Sequence, residues 1–288
     1  MLRCPGSLSS LSPPEASQWV FLRPAALFAH PRLGRIVAQT FDDAAEDALF
    51  TRARVTGVDV RLLERALWAE TAGQTLWLGA GALDGRRIAE LMWERLLPPR
   101  RRDDLGPSAL RFEGSLAGRA VGLAIQGQCG LAAWAEGAPR SVDAVLPTAL
   151  HDDERAPDPE VLLRWRVRGL PRETAETGSD ALQWRVQWFT LDAQVEARGV
   201  ALTLRLEGPL PDDTAARLTR AVARFAESTL GGAIGADVWA SGAQAPSVEG
   251  PVGEGRARAL VARVTVPWSG LEALGDVLRG RVAPQGRP

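Results

Sequence analysis

The stretch DAQVEARGVALTLRLEG, residues 192–208, decides the fold class. Apolar and polar residues alternate on both sides of Arg198-Gly199, and a glycine turn between two period-two segments marks an antiparallel hairpin. Just upstream, Leu182, Trp184, Val186 and Trp188 alternate with Gln183, Arg185 and Gln187, and residues 161–168 carry a further strand pattern. Such alternation sets one face of a sheet against a core and turns the other outward.

Toward the C-terminus, Pro211 and Asp212 introduce a helix with Leu218, Val222 and Phe225 on one face and Gly231-Gly232 at its end. A strand is expected near Val238 and another over residues 257–266. Ser269 and Glu272 then form a capping box for a last helix bearing Leu271, Leu274 and Leu278.

Toward the N-terminus, HDDERAPDPE, residues 151–160, is polar, aperiodic and proline-containing, which places a boundary there. Before it, three apolar runs at residues 110–112, 121–125 and 131–134, punctuated by Gly114, Gly118, Gly127 and Gly130, predict a strand meander. Asp84 is placed to cap a helix that buries Ile88, Leu91, Met92 and Leu96 and stops before Pro98-Pro99. TLWL at residues 75–78 and WVFL at 19–22 read as strands. Leu33, Ile36, Val37 and Phe41 recur at helical spacing toward Leu49, and Asp59 is expected to N-cap a helix carrying Leu62, Leu63, Ala66 and Leu67. Residues 1–17, rich in Ser and Pro, read as a flexible tail.

The expected organisation is therefore a tail (1–17), a first α+β domain or half (18–150), a linker (151–160) and a second α+β domain or half (161–282). Strands fall in hairpin order rather than alternating with helices, so the class is α+β, with antiparallel sheets and amphipathic helices packed on one face. A D-V pair soon after a helix-ending glycine, at Asp59-Val60 and again at Asp237-Val238, hints at two similar halves.

Composition narrows the chemistry. The chain holds no Lys, Asn or Tyr, and its 34 basic residues are all Arg. That pattern follows from a GC-rich genome rather than from a need for Arg. Without Lys there is no P-loop, no protein-kinase lysine, no Schiff base and no S-x-x-K acylase. Two histidines and two cysteines leave no H-E-x-x-H and no C-x-x-C, hence no structural zinc site of ordinary spacing. A net charge of -1 with Arg interspersed among acids disfavours nucleic acid as a partner. The basic run Arg100–Arg102 is followed by Asp103-Asp104 and reads as a solvated loop.

Candidate motifs reduce to structural readings. GAGALDG, residues 79–85, sits between strand and helix like a dinucleotide loop, but Asp84 stands where the third glycine belongs and would face the pyrophosphate, so a capped turn is favoured. Asp42, Asp43, Glu46 and Asp47 form an acidic helix face with no converging ligands. His151 with Asp152, Asp153 and Glu154 reads as a solvated linker, and His30, preceding Pro31, takes a surface or helix-end role. Cys129, in an apolar run without a basic neighbour, reads as an inert buried thiol. The ten tryptophans read first as core; Trp184 and Trp188, on one strand face, are the candidate stacking platform for a planar ligand. No catalytic residue, cofactor-binding residue or metal ligand is assigned.

No run of 18 apolar residues is present to span a bilayer as a helix. Cys4 followed by PGSLSSLSPP looks like the start of a mature bacterial lipoprotein, which makes Cys4 the candidate for lipid attachment, although Arg3 stands where a small residue is expected. A start codon upstream of Met1 would supply the missing apolar segment. The phrases VFLRPAALFAHP, RVTGVDVRLLERALWA and LWLGAGALDGRRIAELM resemble uncharacterised lipoproteins of high-GC bacteria over roughly the first hundred residues. The resemblance implies an envelope location and an α+β fold and carries over no catalytic residue.

The expected function is that of a non-enzymatic envelope protein, periplasmic or tethered to the outer membrane, that binds a partner protein or an apolar ligand. A cytosolic scaffold subunit is the first alternative. An enzyme whose carboxylate and Arg groups meet only in the fold is the second.

Overall fold

Backbone pairing is antiparallel in every strand pair described below, and among the described residues strands outnumber helices. The computed structural model describes residues 7–40, 56–106, 108–145, 160–169, 186–210, 213–216, 218, 220, 247–252 and 258–272. The chain divides into two compact units: residues 1–29 with 43–160, and residues 30–42 with 161–288.

The first unit carries β1 (Gln18–Leu22), β2 (Leu63–Thr71), β3 (Gln74–Gly81), β4 (Leu97–Asp104), β5 (Ala109–Leu116), β6 (Arg119–Gln126) and β7 (Leu131–Glu136), in the order β1-β2-β3-β7-β6-β5-β4. The expected meander is β5-β6-β7. Its helices are α1 (Pro24–Ala29) and, between β3 and β4, a longer helix over Gly85–Arg95. Strand alternation splits the apolar residues into two clusters. One holds Phe21, Leu67, Leu76, Leu78, Leu131 and Ala133, closed over by Leu8, Leu11 and Val142. The other holds Phe112, Val121, Leu123 and Ile125 under Ile88, Ala89 and Met92 of the Gly85–Arg95 helix.

Three expectations are corrected here. Residues 7–16 are not a flexible tail: Leu8 is fully buried and Leu11 and Ala16 nearly so, because the first cluster needs a cover. Asp59 caps a single 3-10 turn, Val60–Leu62, and the segment expected as a helix is strand β2. Leu62, Leu63, Ala66 and Leu67 fit a helical period, but Leu67, Ala69 and Thr71 also fit a period of two, and register with β3 decides between them. Arg100–Arg102 belong to edge strand β4 rather than a loop. There Arg101 pairs with Asp103 at 2.7 Å and Arg102 with Asp104 at 3.1 Å, and a charged edge that carries Pro98 and Pro99 near its start resists pairing with another sheet.

Asp59 also holds Arg61: its Oδ1 accepts from the Arg61 backbone N–H and its carboxylate ion-pairs the guanidinium at 2.6 Å. The Arg61 side-chain hydrogen bond keeps the Asp59 carboxyl below its usual range. Its contribution is present above the unfolded carboxylate range and fades as acidification protonates the folded group; the pair is part-exposed, so the contribution is small.

Asp84 behaves as its position predicts, with Oδ1 accepting from the Arg87 backbone N–H at 3.0 Å. GAGALDG is thus a capped turn. Asp84→Ala is expected to cost about 1 kcal/mol in urea unfolding, and Asp84→Asn much less.

Beneath the 3-10 segment Pro139–Val145, Gly122 has no side chain to spare: a Cβ there would lie 2.1 Å from the Pro139 carbonyl oxygen. The same segment brings Asp143 to Arg111, whose side chain is 15% exposed and also meets Asp103 and Glu113. Arg111 Nε is 2.9 Å from Asp143 Oδ1 without a hydrogen-bonding angle, so that contact is Coulombic. Arg111→Leu leaves three neighbouring carboxylates without their shared cation. The expected loss in urea unfolding is about 2 kcal/mol, below the ~3–5 kcal/mol of a fully buried pair because the acids keep part of their hydration.

The second unit carries α2 (Leu33–Thr40), β8 (Leu163–Arg168), β9 (Trp188–Glu196), β10 (Gly199–Gly208), β11 (Ser247–Val252) and β12 (Arg258–Pro267), in the order β11-β12-β10-β9-β8. The predicted hairpin is β9-β10, with Glu196 opposite Gly199. Phe189, Leu204, Leu206, Leu260 and Ala262 form its core with Val186, Leu210 and Leu218. Arg164 ion-pairs Asp192 on the other face, and Glu207 takes both Arg166 and Arg205. The expected features at Val222, Phe225, Gly231-Gly232, Asp237-Val238, Leu274 and Leu278 lie outside the described residues, as does most of the linker.

Candidate functional site

Where the chain enters α2, the run Ala29-His30-Pro31 ends one helical segment and starts the next. His30 takes the helix-end role expected of it: Nδ1 accepts from the backbone N–H of Arg32 at 3.3 Å and of Leu33 at 3.2 Å. A ring nitrogen that accepts carries no proton, so the neutral imidazole has its hydrogen on Nε2, a donor facing away from the helix.

The His30 ring lies against Trp268, with centroids 5.1 Å apart and planes 19° from parallel. Trp268 immediately follows β12. Its backbone N–H donates to the Arg198 carbonyl at 3.3 Å, and its indole N–H donates to the Ala197 carbonyl at 3.1 Å, both in the β9-β10 turn. The indole is buried and its one polar atom is engaged, so it presents only apolar surface. The Arg32 guanidinium sits 5.5 Å from the Trp268 ring centre.

Together these groups line an open cleft of about 500 Å³, completed by Pro31, Val195, Glu196 and Ala197. Its walls are mostly apolar. Three residues with polar side chains line it: His30, Arg32 and Glu196, whose carboxylate accepts from the Thr265 hydroxyl at 3.4 Å. Its volume lies within the range of small-molecule sites, while its mouth is wide and shallow.

A second aromatic surface lies on the first unit. Trp68, Trp77 and Trp134 occupy one register row across β2, β3 and β7, with Trp77 48% exposed and its ring centre 6.0 Å from that of Trp68. Residues equally spaced about a hairpin turn pair across it, so the turn at Ala72-Gly73 holds the sequence signal for Trp68 opposite Trp77.

The expected stacking platform is only half described. Trp184 lies outside the described residues, while Trp188 is half-buried with the guanidinium carbons of Arg166 and Arg168 at 4.5 and 5.2 Å from its ring centre. Cys129 is not a free thiol as expected but disulfide-bonded, packed beside the first cluster. Cys4, the expected lipid site, lies outside the described residues, as do Asp42, Asp43, Glu46, Asp47 and His151 to Glu154. Among the described residues, no cluster of His, Cys, Asp and Glu is placed to hold a metal, and no helix is long and apolar enough to cross a membrane.

No protein-family model and no curated protein matches the chain. Solved structures of TP0453 resemble it. Crystal form IV aligns with a TM-score of 0.49 at 10% identity, covering 94% of this chain and 95% of that one. Crystal form I aligns with the same TM-score and identity over 97% and 100%. A likeness of this extent transfers no activity and no site residue.

Proposed function

We propose that the chain is a non-enzymatic binding protein of the cell envelope, with its ligand held in the His30–Trp268 cleft. One observation carries this: a buried indole, fixed by two hydrogen bonds with its polar atom engaged, forms one side of a shallow, mostly apolar depression that His30, Arg32 and Glu196 also line. In this reading each half is an antiparallel sheet with an amphipathic helix on one face, and the lipoproteins that the N-terminal phrases resemble imply an α+β fold. The Gly85–Arg95 helix over Phe112 and Leu123 supports it in the first unit, and Leu218 against Leu206 and Leu260 supports it in the second.

The test uses a neutral apolar ring. Benzyl alcohol at millimolar concentration is expected to shift the indole N–H resonance of Trp268, assigned by its loss in Trp268→Phe. No shift of that resonance with any small apolar ring would overturn the assignment of the cleft.

The disulfide at Cys129 supports the envelope location, because such bonds persist in oxidising compartments and are rare in the cytosol. The sequence has one other cysteine, Cys4, and one sulfur cannot both close a disulfide and carry a thioether lipid. Acid-trapping thiols in intact cells therefore reads two things at once. Protein with no reactive thiol and no lipid mass supports an untethered envelope form, and a lipid mass on Cys4 supports the tethered one. Two reactive thiols would favour the cytosolic scaffold.

A further inference from the structure

Arg32 and Glu196 line one cleft and make no ion pair with each other, and neither meets an opposite charge elsewhere among the described residues. This differs from the rest of the second unit's sheet, where Asp192 is taken by Arg164 and Glu207 by both Arg166 and Arg205. Among the described residues, one cation and one anion without a charge partner thus line the cleft on a mostly apolar wall. His30 Nε2–H adds a donor beside Arg32, and the indole N–H of Trp268 is spent on Ala197.

We infer that the cleft binds a zwitterion with an apolar body, of the class of an α-amino acid with an aromatic or large aliphatic side chain. This rests on the cleft being the ligand site. The ligand carboxylate goes to the Arg32 guanidinium and His30 Nε2–H, because both donate and neither accepts. Its ammonium goes to Glu196. Its side chain lies against Trp268, Pro31 and Val195. A simple anion would leave Glu196 as a repelling neighbour, and a simple cation would meet Arg32 in the same way. A ligand carrying both charges satisfies both groups, and a site built to read two charges rejects analogues lacking either.

The experiment titrates the full chain by NMR and calorimetry with L-phenylalanine, N-acetyl-L-phenylalanine, L-phenylalaninamide and benzyl alcohol. Phenylalanine is expected to bind at least about ten-fold more tightly than either derivative. Arg32→Gln is expected to abolish the preference over the amide, and Glu196→Gln the preference over the acetylated form. Both side chains are exposed, so both variants fold, as circular dichroism will verify. If both derivatives bind as well as phenylalanine, or if neither substitution changes selectivity, the zwitterion assignment is overturned. If benzyl alcohol shifts Trp268 and phenylalanine binds no better, the ligand class fails while the cleft stands. Silence from all four probes removes both.

Discussion

Gly199→Ala is expected to damage stability and cleft binding together. A Cβ at this position would lie 2.0 Å from the Val266 carbonyl oxygen and 2.8 Å from the Pro267 Cα. Both are backbone atoms of β12, so no rotamer change relieves the overlap and the strands must part where Gly199 faces Pro267 and Val200 faces Val266. Trp268 follows at once and hangs from the β9-β10 turn through Arg198 and Ala197. Parting the strands therefore moves the wall of the cleft. The cost in urea unfolding is expected at or above the upper end of the ~1–3 kcal/mol typical of overpacking. Response of the Trp268 indole signal to benzyl alcohol should vanish with it. Unchanged stability and an unchanged response would show that β10 and β12 do not meet in this register.

The same position shows what local pattern can reveal. Alternation around Arg198-Gly199 was enough to predict the β9-β10 hairpin, because its pairing joins residues close in the chain. Asp84 was legible for a similar reason: an N-cap speaks to residues within one turn. Residues 59–71 were not, since LLERALWAE satisfies two periods at once and only pairing with β3 selects one. The burial of Leu8 and Leu11 was hidden by their Ser and Pro neighbours. What buries them is a sheet face built from β1, β2, β3 and β7, assembled from distant parts of the chain. The cleft was the least legible feature. His30 was readable as a helix-end residue, but its meeting with Glu196 and Trp268 joins segments more than 150 residues apart, and no spacing rule carries that far. The disulfide leaves no mark in the sequence neighbours of Cys129, since pairing of a cysteine depends on chain segments that local pattern does not reach.

Phe112→Ala is expected to give a large loss of stability with no loss of cleft binding. The ring is fully buried on β5, opposite Leu123 on β6 and Arg102 on β4. Trp93, from the Gly85–Arg95 helix, lies with its ring centre 6.0 Å away, and the Arg102 guanidinium carbon sits 5.6 Å from the ring centre. Truncation removes the largest buried side chain that the sheet presents to that helix, and the surrounding Ile88, Met92 and Leu123 close the gap only in part. The expected cost is about 3–5 kcal/mol in urea unfolding. Hydrogen exchange should localise it to the helix amides and to β5 and β6. Phe112 belongs to the first unit and every described residue lining the cleft to the second. Under conditions where the variant remains folded, benzyl alcohol should therefore shift Trp268 as in the unaltered chain. Gly199→Ala should lose both properties and Phe112→Ala only one. Loss of cleft binding in Phe112→Ala without unfolding would mean that the two units are energetically coupled. The cleft could not then be treated as a property of the second unit alone.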